Sequence, residues 1–454
     1  MKLFFAIVSY CATQLFILII FILIGIKGYM LNAQTVPWKT DVTYLTDTSN
    51  NQNPTSVTTY HGSTYYIYTS PARQIVVGKI DSFGTIELDT VFKIIGKNEI
   101  YHICPTIGVD KYGYIHVCGD MHNESWKYFR SNNPEDIRTW TRRYDLPGFS
   151  ITYPTIFYDN NREMYILFRH RKDFTGNGNH RAGIAKYNPD KNTFSMVGGI
   201  SYSEKDGTKA NTITMAWSKG YGGNDCWYIK PGHRLYFDGN NRMHFMAAVI
   251  NVCLGTFSST DVYSPSLMKG GFESNTHIIY AYSDDTGNTW HRVDGTQISS
   301  LPLTVDNASI ALDRTIQHDI IGGESELGAF DTNTPIISYK LYSDQSRHNI
   351  KWNGSSWVEI SPPHSSNIFM CRPNGYAAWY NNFGLDYTRD GRNWKSLSGG
   401  ANASFQKGAS GVSSTGMDRE YFKQTGNFRY TGSFNSFTHC GIYTIKSNIG
   451  NVSN

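Results

Sequence analysis

Four side chains in one stretch of this sequence could do proton chemistry together: His102, His122, Tyr153 and Arg169. An imidazole of near-neutral pKa can accept a proton, a phenol can deliver one, and a guanidinium can pair with a carboxylate through two hydrogen bonds. His102 and His122 bracket ICPTIGVDKYGYIHVCGDM, and Tyr153 and Arg169 bracket PTIFYDNNREMYILF. Both segments read as strand, tight turn, strand, with turns at Asp110–Gly113 and Asp159–Asn161 between alternating β-branched and aromatic residues. In an antiparallel hairpin the start of one strand lies beside the end of the next, so each pair is expected at one edge of its own hairpin. Two such hairpins side by side would gather the four groups around one cleft. His116, inside an alternating strand, reads as structural, and Pro154 is expected to hold Tyr153 extended.

The elements that must position these groups are strands. The chain has 454 residues, with 31 Tyr, 24 Phe and 42 Gly, and long helical periodicities are hard to find. Hairpin signatures recur after the anchor stretch: RAGIAKYNPDKNTFSMV (181–197), LYFDGNNRMHFMAAV (235–249), HIIYAYSDDTGNTWHRV (277–293), IISYKLYSDQSRHNIKWNGSSWVEI (336–360), AAWYNNFGLDYTRDGRNWKSL (377–397) and FRYTGSFNSFTHCGIYTI (428–445). Ser283–Trp290 fits the Asp-box pattern S-x-D-x-G-x-T-W, Thr388–Trp394 is a shorter copy, and Ser131–Trp140 a degenerate third. In such a turn the carboxylate caps backbone amides and the Trp packs between sheets, so Asp285 and Asp390 are structural. Strands, Asp/Asn/Gly turns and this recurrence predict an all-β fold, a single β-propeller of four-stranded antiparallel blades. At roughly 40–60 residues per blade the length suggests seven blades, with six or eight as neighbouring counts. No linker interrupts residues 35–454, which read as one domain.

Residues 1–33 carry Lys2, an apolar run from Leu3 to about Ile26, and the small residue Ala33. This reads as a signal peptide cleaved after Ala33, or as an uncleaved membrane anchor, and places the protein outside the cytoplasm: secreted, periplasmic or on the cell surface. The formal charge of +4 drops to +2 without Lys2 and Lys27, which excludes a general nucleic-acid binder and leaves room for a local basic cleft. The six cysteines beyond Cys11 are too scattered for a disulfide framework; Cys104 and Cys118, on the two arms of one hairpin, could pair or remain buried thiols.

With these pieces assembled, the chain resembles the BNR-type propeller polysaccharide lyases, above all the ulvan lyases of polysaccharide lyase families 24 and 25. The resemblance is carried by H-x-x-P-x-I-x-V-D-x-x-G-x-I-H-V from His102 to Val117 and by Asp120-Met121-His122. It continues through Asp136-Ile137 to Trp140, Thr152-Tyr153-Pro154, Phe168-Arg169, Thr175–Gly178 and the Asp-box after His277. It implies a catalytic pair at His102 and Tyr153, completed by His122 and Arg169, with an acidic polysaccharide as substrate; the working unit is expected to be a monomer. The segment between His122 and Tyr153 is short for the family, and His170-Arg171 adds cationic groups after Arg169.

β-Elimination at a 4-linked uronic acid needs a base for the C5 proton, a group that neutralises the carboxylate, and an acid for the departing O4. His102 suits the base, Tyr153 the acid, and Arg169 with His122 the neutralising and positioning groups; Tyr153 as base fits the sequence equally well. Arg171, Asn177 and His180, around a Gly-rich loop, are candidate substrate contacts, and Trp126, Tyr221 and Trp227 candidate sugar-stacking rings. His233, His244, Cys253 and His277 form a candidate zinc set, structural rather than catalytic, because the reaction requires no cofactor and no metal-bound water. A propeller glycoside hydrolase of the sialidase type and a noncatalytic glycan-binding propeller are the competing functions.

Overall fold

The computed structural model describes residues 39–45, 55–94, 105–146, 151–171, 180–197, 227–230, 234–251, 274–314, 317, 319–321, 325–329, 333–360, 368–371, 377–381, 384–388, 395–396, 416–434 and 439–446. Residues 1–39 and 40–454 form two units, and of the first only Lys39 is described. The expected export segment and His102, Cys104, Asn177, Tyr221, His233 and Cys253 therefore lie outside the described residues.

The described residues form seven antiparallel sheets and one short helix, an all-β architecture. The first sheet runs Ser56–Tyr60, Ser63–Thr69, Gln74–Ile80, Ile86–Lys93, in chain order from one edge to the other. The second repeats this with Thr106–Val109, Ile115–Cys118, Tyr128–Ser131 and Trp140–Arg143. The third holds Ile151–Tyr158, Met164–Arg171, His180–Asn188 and Thr193–Met196. Uniform four-stranded sheets were expected, and the structure departs from this: the third sheet has five strands, the fourth eight and the last three. The fifth strand of the third sheet is His122–Glu124, which leaves the second sheet and pairs with Ile151–Tyr158.

Apolar faces of successive sheets pack on one another, which is why both faces of the inner strands are buried. Tyr65 and Ile67 of the first sheet meet Val109 and Val117 of the second. Phe157, Leu167 and Ile184 of the third meet Phe245, Ala247 and Ile279 of the fourth. Hydroxyls stitch neighbouring inner strands together: Thr55 Oγ1 donates to Pro105 O at 2.6 Å, and Thr106 Oγ1 accepts from Ile156 N at 3.4 Å. Cys118 is a buried free thiol in the core between the second and third sheets, and burial pushes its pKa well up.

The Asp-box at Ser283–Trp290 forms as expected. Asp285 Oδ1 accepts from Thr289 N at 2.8 Å and from Ser283 Oγ at 2.8 Å, while Trp290 Nε1 donates to Gly287 O at 2.9 Å. Burial pushes the Asp285 carboxyl up, but these hydrogen bonds hold it below its ordinary value. In the degenerate copy Trp140 Nε1 donates to Ile137 O at 2.9 Å and Asp136 accepts from Arg138 N at 3.0 Å.

Other turns use an aspartate differently. Asp110 Oδ1 accepts from Tyr112 N and Tyr114 N, and its Oδ2 meets His116 Nε2 at 3.1 Å; the other ring nitrogen of His116 meets the Tyr128 hydroxyl. Asp238 repeats the pattern with Asn240 N, Arg242 N and His244 Nε2 at 3.2 Å, and His244 Nδ1 meets Tyr280 Oη at 2.6 Å. A neutral imidazole satisfies both networks by donating from Nε2 and accepting at Nδ1. His116 is thus structural, as expected. His244 corrects the zinc set, because both its ring nitrogens are already engaged.

Two outcomes follow from these contacts. Gly287 has φ +96°, and a Cβ there would stand 2.0 Å from Val197 Cγ1. Gly287→Ala is expected to cost about 1–3 kcal/mol, read as a lower denaturation midpoint; an unchanged midpoint would contradict the packing. Burial lowers the pKa of His116, His244 and His277 below the ordinary 6.5. As pH falls through 6.5 the unfolded chain takes up protons that the folded chain refuses, so stability falls on acidification from pH 7.5 to 6. Asp418, pushed up to about 6 by burial, acts in the opposite direction below that window. In His244→Gln the unfolding midpoint should depend less steeply on pH, and equal slopes would refute the assignment.

Candidate active site

The candidate site is built on the first residues of Ile151–Tyr158. Thr152 is the Cα partner of Arg169 on one side and of His122 on the other, so His122, Thr152 and Arg169 form one row across the third sheet. Tyr153 follows Thr152, and the Arg169 guanidinium carbon lies 4.7 Å from its ring centroid. Three of the four candidate groups therefore stand at adjacent or directly paired positions. They do so within one sheet, whereas the sequence suggested two hairpins side by side. His122 is not at the end of its hairpin strand, which stops at Cys118, but on the short strand passed to the next sheet.

Two bulges shape this row. On the short strand, Ile151 faces Glu124 and Thr152 faces His122, which leaves Asn123 as the extra residue. On the inner strand, Thr152 faces Arg169 and Thr155 faces Leu167, so Tyr153 and Pro154 together oppose Phe168. Bulges of this kind re-aim side chains beside active sites. Asn123 and Tyr153 are both left-handed, with φ +58° and +56°. The expectation that Pro154 would hold Tyr153 extended is thereby corrected: the bulge outweighs the steric preference of a residue before proline. A tyrosine in this region stores strain of about 1–3 kcal/mol, which its surroundings must offset.

Arg169 is buried, with 4% of its surface exposed, while His122 and Tyr153 are half-buried. A guanidinium so desolvated and held over an aromatic ring is suited to pairing with a carboxylate, and a partly open phenol and imidazole can reach a substrate. Arg171 and His180 face one another across the mouth of the Met164–Arg171 and His180–Asn188 hairpin. The expected stacking role of Trp126 is corrected: it is 4% exposed and packs edge-on to Phe168 with ring centroids 5.1 Å apart. His277 is also buried, with Nδ1 3.0 Å from Thr276 Oγ1 and Nε2 3.5 Å from Asp313. Among the described residues no group of three or more His, Cys, Asp or Glu side chains could hold a metal ion.

Sequence reasoning missed the residues that hold His122 in place. Lys127 Nζ donates to Asp120 O at 2.7 Å and to Asp120 Oδ2 at 2.8 Å, and pairs with Glu124 at 2.7 Å. Burial pushes the Asp120 carboxyl up, against the pull of Lys127. Asp120 stands in the Asp120-Met121-His122 motif, but nothing in the spacing marks Lys127 or Glu124 as its partners. A cavity of about 60 Å³ lies at the opposite end of the inner strand, between Thr155–Tyr158, Thr58, Tyr236 and the helix Arg419–Thr425. It has room for a few waters and none for a sugar ring.

No curated protein sequence matches the chain. Its fold is similar to that of a polysaccharide lyase family 25 ulvan lyase solved with -[GlcA(1-4)Rha3S]- bound. The TM-score is 0.55 at 16% identity, over 78% of this chain and 86% of that one. It is also similar to the polysaccharide lyase Uly1, with a TM-score of 0.59 at 12% identity over 87% and 90%. The sequence model of the BNR repeat-containing family matches residues 63–364, a span that includes the second, third and fourth sheets and the row His122–Thr152–Arg169, and the chain belongs to that family.

Proposed function

We propose that this protein is a polysaccharide lyase that cleaves a uronic-acid-containing sulfated polysaccharide, ulvan first among them, by β-elimination. The observation that carries the reading is the row His122–Thr152–Arg169, with Tyr153 next to Thr152 and under the Arg169 guanidinium, in an order of residues that resembles the ulvan lyases. Arg169 and His122 would neutralise the uronate carboxylate and so make the C5 proton acidic. His102 would remove that proton, and Tyr153 would protonate O4 as the C4–O4 bond breaks. The electron pair of the C5–H bond becomes the C4–C5 double bond, which leaves a 4,5-unsaturated uronate at the new end. Tyr153 as base, with a histidine as acid, uses the same groups with their roles exchanged.

The propeller reading belongs to the same proposal. Support for seven blades comes from the seven sheets among the described residues and from the last of them, in which a strand near the start of the described residues, Lys39–Leu45, pairs with His439–Lys446, itself paired with Phe428–Phe434. Export through the N-terminal apolar segment fits a polymer too large to enter a cell. Arg171, Asn177 and His180 remain the proposed substrate contacts, with no metal needed for the elimination.

Ultraviolet absorbance of the conjugated product, followed over time with purified protein and ulvan, tests the function. A rise is expected, and Tyr153→Phe and His102→Asn should each lower its initial rate by about 100-fold or more. A rise on another uronate polymer alone would move the substrate and keep the chemistry. A flat trace on every uronate polymer, from folded protein, would sink the lyase reading; new reducing ends without absorbance would then identify a hydrolase, and binding without turnover a glycan-binding propeller.

A further inference from the structure

We propose that Thr152 is a positioning residue: its hydroxyl fixes the bulge that aims His122, and it governs the reaction without touching the substrate. The effect on rate rests on the lyase reading, whereas the latch rests on geometry alone.

The segment that carries His122 has an unusual backbone, left-handed at both Asp120 and Asn123, with φ +59° and +58°. Its base is clamped by Lys127, whose ammonium holds Asp120 and Glu124 and whose N–H lies 3.2 Å from Met121 Sδ. That clamp fixes where the segment begins, and the bulge lies further along. As the extra residue of the bulge, Asn123 has lost the ladder partner that its N–H would have in a regular strand. A donor so displaced needs another acceptor.

The acceptor is Thr152. Asn123 N donates to Thr152 Oγ1 at 2.9 Å, and the hydroxyl in turn donates to Asn123 Oδ1 at 3.4 Å. A hydroxyl can do both at once, and a methyl can do neither. Thr152 is fully buried, so water cannot replace it. Its β-branched side chain has few rotamers, which sets the direction of the hydroxyl. The same residue faces Arg169 across the inner strand and immediately precedes Tyr153, so one side chain sits between the two bulges and contributes to the placement of all three groups.

Valine has nearly the volume of threonine but no hydroxyl, and serine has the hydroxyl without the methyl. The test uses Thr152→Val and Thr152→Ser in the full chain, with thermal midpoints to establish folding, amide hydrogen exchange over residues 119–127, and kinetics on ulvan. In T152V, exchange in that segment should quicken at least about tenfold. The kcat should fall on the order of 10- to 100-fold with KM nearly unchanged, because a displaced group weakens the transition state more than binding. The acid limb of the pH–rate profile should also move, and T152S should restore both exchange protection and rate. Wild-type exchange in T152V, or a failure of T152S to restore protection, would overturn the latch. Fast exchange in T152V at an unchanged kcat would overturn the positioning role. Should wild-type protein leave ulvan intact, the lyase reading fails separately, and the exchange comparison still decides the latch.

Discussion

A hairpin turn aims backbone donors away from its ladder, and in this chain a carboxylate at the head of the turn receives them. Asp110, Asp159 and Asp238 each accept two turn amides on one oxygen and keep the other for a more distant partner. For Asp110 and Asp238 that partner is a buried histidine held by a tyrosine on a neighbouring strand. For Asp159 it is Asn241 of the next turn, at 3.3 Å, and Asn160 adds a bond of 2.8 Å from its N–H to Asn241 Oδ1. The turns thereby fix the strand register within a sheet and tie the third sheet to the fourth. The residues at the start of the inner strands can then depart from regular geometry without loss of the whole, because their far ends are held.

Much of this was legible in the sequence because it is local. An aspartate followed by Gly or Asn between alternating apolar residues makes the same turn wherever it occurs, and the Asp-box at Ser283–Trp290 depends on contacts within eight residues. The transfer of His122–Glu124 to another sheet was not legible, since strand periodicity says which side chains face together and not which sheet receives the strand. The left-handed backbone at Tyr153 ran against a sound local rule for a residue before proline. It exists because neighbouring sheet pairs over-determine the bulge. Trp126 and His244 were misread for a common reason: an aromatic ring or an imidazole has the same letter whether it faces a ligand or closes a core.

The proposed site falls on two copies of one repeat frame. HICPTIGVD and ITYPTIFYD share one frame, with Pro105, Thr106 and Asp110 matching Pro154, Thr155 and Asp159. The shared positions keep the inner strand and its turn. In that frame His102 matches Ile151, and Cys104 matches Tyr153. The proposed catalytic residues His102 and Tyr153 thus occupy different positions of the same sequence frame in the two copies, so no single copy reveals the set.

The short strand His122–Glu124 is encoded between the second sheet's strands and spent in the third. This makes the proposed site a joint product of two repeats. A repeat protein is ordinarily modular, with units that can be duplicated, deleted or exchanged at their boundaries. Here any exchange whose seam falls between Cys118 and Ile151 would combine a histidine from one ancestor with a tyrosine and arginine from another. The bulges on both strands would have to match as well. Recombination in this part of the chain is therefore constrained by shape at the seam, and the two sheets are expected to be inherited as one unit.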